Sequence, residues 1–237
     1  MLLILISYLI LFNAIFLFNL IHTISLFTIL SPVVTGIIFY NKLEAISRII
    51  LFMLVFASLS QLGPFFLKED DVWLFYNIYI IIDVSFWGCI FFINQKNPQV
   101  RTLIVLILAT HICISIIIFL QQGIRTRFYN ELVCLDNIAQ VIWVLIYILS
   151  LYYNESIEGL ERKPMFWFCI GILLYATSSY FLFAFYDDIR ISKTKKYEYL
   201  WRLHDIVNML MYLLFTVGIL INRVQYKITL KQKPGYG

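Results

Sequence analysis

The side chains able to do chemistry in this chain are few, and most lie inside long apolar runs. Asp83 and His111 each fall near the middle of such a run. A carboxyl and an imidazole at equal depth on neighbouring helices could share a proton as a relay or contact a ligand. They could equally form a buried hydrogen bond that fixes helix packing, which is the simpler reading. A second group sits nearer the ends of the runs. Asp136 and Gln140 are four residues apart and share a helix face, with Asn137 beside them. His204 and Asn208 repeat that spacing on the last run, and Asp205 lies three residues before Asn208. Gln61, Asn77 and Ser178, the last flanked by Thr177 and Ser179, come to comparable depth from other runs, as does Ser58.

Polar groups from several helices in one half of a bilayer predict an outward-opening polar pocket. It would bind a small molecule, a lipid headgroup or a partner segment, under the loop through Asp187 and Asp188. The competing explanation is that helix starts are polar because they reach the headgroups, where acidic groups also favour the first turn. That accounts for Glu131 and Arg202. Asp136, Gln140, Asp205 and Asn208 lie a turn or more inside, where an unpaired polar group is costly.

Other chemistry is missing from the sequence. There is no G-x-S-x-G elbow, no H-E-x-x-H and no P-loop. His22, His111 and His204 fall at different depths, so neither a metal nor a cofactor is expected. Cys89, Cys113, Cys134 and Cys169 form no C-x-x-C pair and read as buried free thiols. Paired carboxyls can still do acid–base work. A lipid hydrolase or transferase would draw on Asp136, Asp205 and His204, and a proton-coupled solute carrier on Asp83 and His111.

The elements that must position these groups follow from composition. Of 237 residues, 62% are hydrophobic and 14% charged, with a mean hydropathy of +0.86. Soluble domains carry about 25% charged residues, because their surface faces water. The chain therefore reads as an all-α polytopic transmembrane bundle of about eight helices, with seven as the alternative. A span needs about 20 apolar residues. The spans fall near 2–21, 25–40, 47–67, 72–94, 101–121, 132–153, 165–186 and 201–222. The first is read as a retained helix, since no basic segment or cleavage site marks it as a signal peptide. The polar step Asn19, His22, Thr23 and Ser25 is the expected first turn, and Pro32 with Gly36 predicts a kink.

Residues 1–222 form the bundle and 223–237 a short basic tail that contacts membrane lipid. No internal repeat of the transporter kind is visible. The formal charge of +4 is spread over several loops, with no basic and aromatic stripe for nucleic acid. Lys42, Arg48, Lys96, Arg101, Arg162, Lys163 and the tail share one side, which places both termini in the cytoplasm.

The segments FWFCIGILLYATSSYFLFAF (Phe166 to Phe185) and WRLHDIVNMLMYLLFTVGIL (Trp201 to Leu220) carry a resemblance. They resemble a loose group of small bacterial inner-membrane proteins often encoded beside sensor histidine kinases. In that group the last helix begins with tryptophan and histidine, as Trp201 and His204 do here. The resemblance implies a sensory or accessory role exerted through a membrane-protein partner. The eight-helix lysoplasmalogenase family has similar length, but its hydrolase aspartates are not matched. Ser58 to Gly63 lacks the Gly-Asp expected there, and no aspartate follows Ser178-Ser179. The expectation is a non-enzymatic membrane sensor or accessory subunit.

Overall fold

A computed structural model describes residues 20–61, 66–154, 159–186, 189 and 198–231. Among the described residues there is no strand. The helices are α1 (Leu20–Ile38), α2 (Ala45–Ser60), α3 (Glu69–Asn94), α4 (Pro98–Gln122), α5 (Asn130–Asn154), α6 (Pro164–Ala184) and α7 (Glu198–Lys231). Six of them, all but α2, are long and apolar enough to cross a membrane. The protein is an all-helical, multi-pass membrane protein.

The boundaries differ from the expected ones for local reasons. The span at 2–21 lies outside the described residues but for its last two, which open α1. No turn forms at His22, Thr23 and Ser25, which are helical. His22 and Ser25 are bonded to α7, so their polarity serves a neighbouring helix instead of ending their own. α1 is interrupted at Ile29, three residues before Pro32. Proline has no N–H to give the carbonyl of Thr28, which removes one rung of the ladder. α2 stops at Ser60, not at 67, and its 16 residues reach about 24 Å, short of the roughly 30 Å hydrocarbon core. At the other end α7 continues through Lys231, so the first part of the predicted tail is helical.

Local signals set several starts. Asn97 caps α4 by accepting the Gln99 N–H at 2.9 Å, and Pro98 occupies the first turn, where its missing N–H costs nothing. Pro164 opens α6 in the same way. Gly123 ends α4 with φ of 82°, a left-handed conformation that a side chain would strain.

The helices α1, α2, α3, α5, α6 and α7 pack successively, and α7 returns to α1 to close a ring. α4 stands outside it, against α3 and α5. Aromatic side chains fill one half of the ring. Phe91 lies 6.2 Å from Trp143, Trp87 6.0 Å from Phe215, and Phe168 5.4 Å from Phe215, measured between ring centroids. α6 and α7 approach most closely where two glycines face two phenylalanines. A Cβ on Gly171 would stand 2.8 Å from Phe215, and one on Gly218 2.8 Å from Phe168. The four cysteines are free. Cys169 is buried and Cys134 half-buried, but Cys89 and Cys113, expected inside, are exposed on the outer faces of α3 and α4. There a thiol meets lipid, which is as apolar as a core.

Candidate functional site

The other half of the ring is not filled. A cavity of about 500 Å³ lies between the starts of α1, α3, α5 and α7 and the ends of α2 and α6. α3 and α5 run parallel in the ring, which fixes the depth of their polar groups. Asn77 is level with Tyr129, Asp83 with Asp136 and Gln140, and Phe91 with Trp143.

The floor is the most polar layer. Gln140 donates through Nε2 to Asp83 Oδ2 and to Asp136 Oδ1, each at 3.1 Å, so one amide bridges two carboxyl groups. The Tyr79 hydroxyl lies 3.5 Å from the other Asp83 oxygen. Asn137, 2% exposed, also lines the cavity, and its Nδ2 has no hydrogen-bond partner among the described residues. Tyr175, Tyr212 and Trp87 complete the wall at this depth.

A middle layer ties α7 to its neighbours. Asp205 accepts from His22 Nδ1 and Arg202 Nη1, both at 3.2 Å. Asn208 donates to Ser25 Oγ at 3.3 Å, and His204 Nδ1 lies 3.3 Å from Ser179 Oγ. The mouth is a linked set of rings. Phe128 contacts Tyr76, Trp73, Phe183 and Tyr186, and Trp201 contacts Phe183 and Tyr186, all with centroids between 5.8 and 6.3 Å. Three aspartates line the cavity, and no lysine or arginine does among the described residues.

Of the residues singled out from the sequence, Gln61, Asp83, Asp136, Asn137, Gln140, His204, Asp205 and Asn208 all line this cavity. Three do not. His111 makes no pair with Asp83: its Nε2 donates to the Leu132 carbonyl at 3.2 Å, and Ser115 Oγ donates to the His111 carbonyl at 2.9 Å. The reason is that α4 lies outside the ring, and this face of it meets the start of α5. Ser178 is half-buried and off the cavity, while Ser179, about 100° further round the helix, faces His204. Asn77 is fully buried as a clamp. It donates to the carbonyls of Ile124 and Arg127 at 2.9 and 2.8 Å and accepts the Tyr129 N–H at 3.2 Å. The loop residues Asp187 and Asp188 lie outside the described residues.

Asn77 therefore holds the α4–α5 connection, and with it Phe128 at the mouth. Asn77→Ala is expected to leave buried backbone groups without partners and to cost about 1–3 kcal/mol. Trypsin should then cut after Arg125 and Arg127 measurably faster than in the unsubstituted protein, while the site after Lys68 in the α2–α3 connection keeps its rate. Equal cutting at Arg125 and Arg127 would show that the clamp holds nothing.

The sequence reading missed several contributors. His22 reads as part of a turn, and nothing in the sequence sets Tyr79, Tyr175 and Tyr212 apart from the other aromatic residues. Their signal is helical spacing: Tyr79–Asp83, Tyr175–Ser179 and Asn208–Tyr212–Thr216 each step by four. No group of three or more His, Cys, Asp or Glu side chains among the described residues is placed to hold a metal. Comparison with protein-family models, with curated proteins and with solved structures returns no match. What stands here is therefore a class, a multi-pass helical membrane protein with a polar and aromatic cavity at one end.

Proposed function

We propose that this protein is a non-catalytic membrane receptor or accessory subunit that binds a small ligand in the cavity and acts through a partner protein. The observation that carries the reading is the cavity of about 500 Å³, a size within the range of small-molecule sites, into which polar side chains from α1, α2, α3, α5 and α7 converge. Its wall is made of six helices, so an occupant that fits one arrangement of them better than another biases that arrangement. α7 runs from the cavity to the far face of the bundle, where Arg223 stacks over Phe39 at 4.1 Å. That end, with the basic residues that follow, is where a partner or anionic lipid would be contacted.

Orientation belongs to the same proposal. Lys42, Arg48, Lys96, Arg101, Arg162, Lys163 and Arg223 lie at the end away from the cavity, so a cytoplasmic placement of that end opens the cavity outward, in a bacterial inner membrane. The carrier alternative loses its proton-relay pair, since His111 faces α5. A hydrolase would rest on a different pair, Asp83 and Asp136, than the sequence suggested, because Asp205 is held by His22 and Arg202.

The test is to purify the protein from its native membrane in gentle detergent and examine it by native mass spectrometry. A small bound molecule is expected in the unsubstituted protein and not in Ala57→Phe, whose ring would fill the wall of the cavity. A stoichiometric membrane partner should co-purify with both. An empty protein with no partner, or lipid turnover that stops in Asp136→Asn, would replace the receptor reading.

A further inference from the structure

The next step rests on the ligand-binding reading and concerns the chemistry of the ligand. We propose that the cavity takes an organic ammonium ion, its charge seated at Asp83 and Asp136 and its apolar body held among the aromatic rings above.

Charge is the first argument. The cavity presents three carboxyl groups and no lysine or arginine among the described residues. Asp205 is already met by His22 and Arg202. Asp83 and Asp136 bond to each other, to the Gln140 amide and, at Asp83, to the Tyr79 hydroxyl, and no cationic side chain bonds to either among the described residues. Two buried carboxyl groups sharing one amide have more acceptor capacity than donors, and an ammonium group supplies both the missing N–H donors and the countercharge.

The walls suit an organic cation better than a bare metal ion. A bare metal ion needs several ligands converging on one point, and no such cluster is present among the described residues. It would also leave most of the 500 Å³ unoccupied. An ammonium carried on an apolar frame fills that volume and meets Trp87, Tyr79, Tyr175 and Tyr212, whose ring faces attract a cation electrostatically. Asn137 adds a second, independent mark. Its amide, 2% exposed, lines the cavity with no partner for Nδ2 among the described residues, so the ligand has a second polar group, such as a hydroxyl or carbonyl, within its reach.

The experiment compares three probes of one shape and different charge, 2-phenylethylammonium, 2-phenylethanol and phenylacetate. Each is titrated into the protein in nanodiscs of zwitterionic lipid, with empty nanodiscs to correct for partitioning. Tryptophan fluorescence reports binding, because Trp73, Trp87 and Trp201 line the cavity. Saturable binding of the ammonium, about tenfold or more tighter than the alcohol with the anion weakest, is the expected result. In the Asp83→Asn/Asp136→Asn double variant, checked for folding by gel filtration, that preference should vanish. Equal affinity for ammonium and alcohol would overturn the cation assignment and leave a ligand pocket standing. No saturable binding of any probe would overturn both. The order of the three probes is read in the unsubstituted protein, so the answer does not depend on whether the double variant folds.

Discussion

Gln140→Leu is expected to destabilise the purified protein by about 2–4 kcal/mol, and adding Asp83→Asn is expected to recover most of that loss. Leucine is close to glutamine in volume, so little of the effect comes from a cavity. What disappears is the one amide that donates to both Asp83 and Asp136 at 3.1 Å. A carboxylate can only accept, so its buried oxygens depend on donors from neighbours. Without Gln140, two carboxyl groups face each other across the floor in a setting where water does little to screen them. Asparagine at 83 removes one of the two acidic groups and brings N–H donors that reach toward Asp136. Denaturation in mixed micelles of the two single variants and the double variant gives the coupling directly. Losses that simply add would mean that Gln140 packs against the floor without bridging it.

The same series separates folding from binding. The double variant has a satisfied floor but only one carboxyl group, so it should be stable while preferring the ammonium probe less than the unsubstituted protein does.

Depth was legible in the sequence; direction around the helix was not. Each helical residue advances about 1.5 Å, so distance from a loop gives the level at which a side chain stands. That is how Gln61, Asp136, Gln140, Asp205 and Asn208 came to be grouped, and the structure sets all five around the cavity. Each step along a helix also turns the side chain by about 100°, and an apolar run surrounded by lipid gives little pattern from which to read that angle. Ser178 and Ser179 were therefore indistinguishable, although only Ser179 reaches His204. His111 and Asp83 match by level alone, because nothing in the sequence shows that α4 stands outside the ring. The membrane class was clear from the scarcity of charge, but helix ends were not. Polar residues such as His22 and Ser25 read as a turn because their partners lie about 180 residues away on α7. The same long separation hid Thr216 and Asn222, which look like isolated polar residues in an apolar helix until α1 and α2 are laid against them.

Those contacts tie α7 to α1 and α2 from the cavity to the far end of the bundle. Asp205 meets His22, Asn208 meets Ser25, Thr216 meets Ser31 at 3.0 Å, and Asn222 meets the α1–α2 connection. The four positions fall within an arc of about 120° on α7, so a single polar stripe fixes its register against α1 and α2. The last contact bears the most. Glu44 precedes α2 with no side-chain cap, and its N–H is instead taken by Asn222 Oδ1 at 3.0 Å, while Asn222 Nδ2 donates to Ser47 Oγ at 3.2 Å. Asn222 is 1% exposed and Ser47 2%, so solvent does not stand in for the bond between them. Asn222→Leu is accordingly expected to cost about 1–3 kcal/mol, because it takes the partner from the buried Ser47 hydroxyl and the acceptor from the Glu44 N–H. Ser47→Ala removes only the second bond and should cost about 1 kcal/mol. Adding Ser47→Ala to Asn222→Leu should cost less than it does alone, since the hydroxyl it removes has already lost its partner. Denaturation of the three variants in mixed micelles measures this order. If Ser47→Ala alone matched Asn222→Leu, the Glu44 bond would contribute nothing and the α7–α2 contact would rest on Ser47 alone.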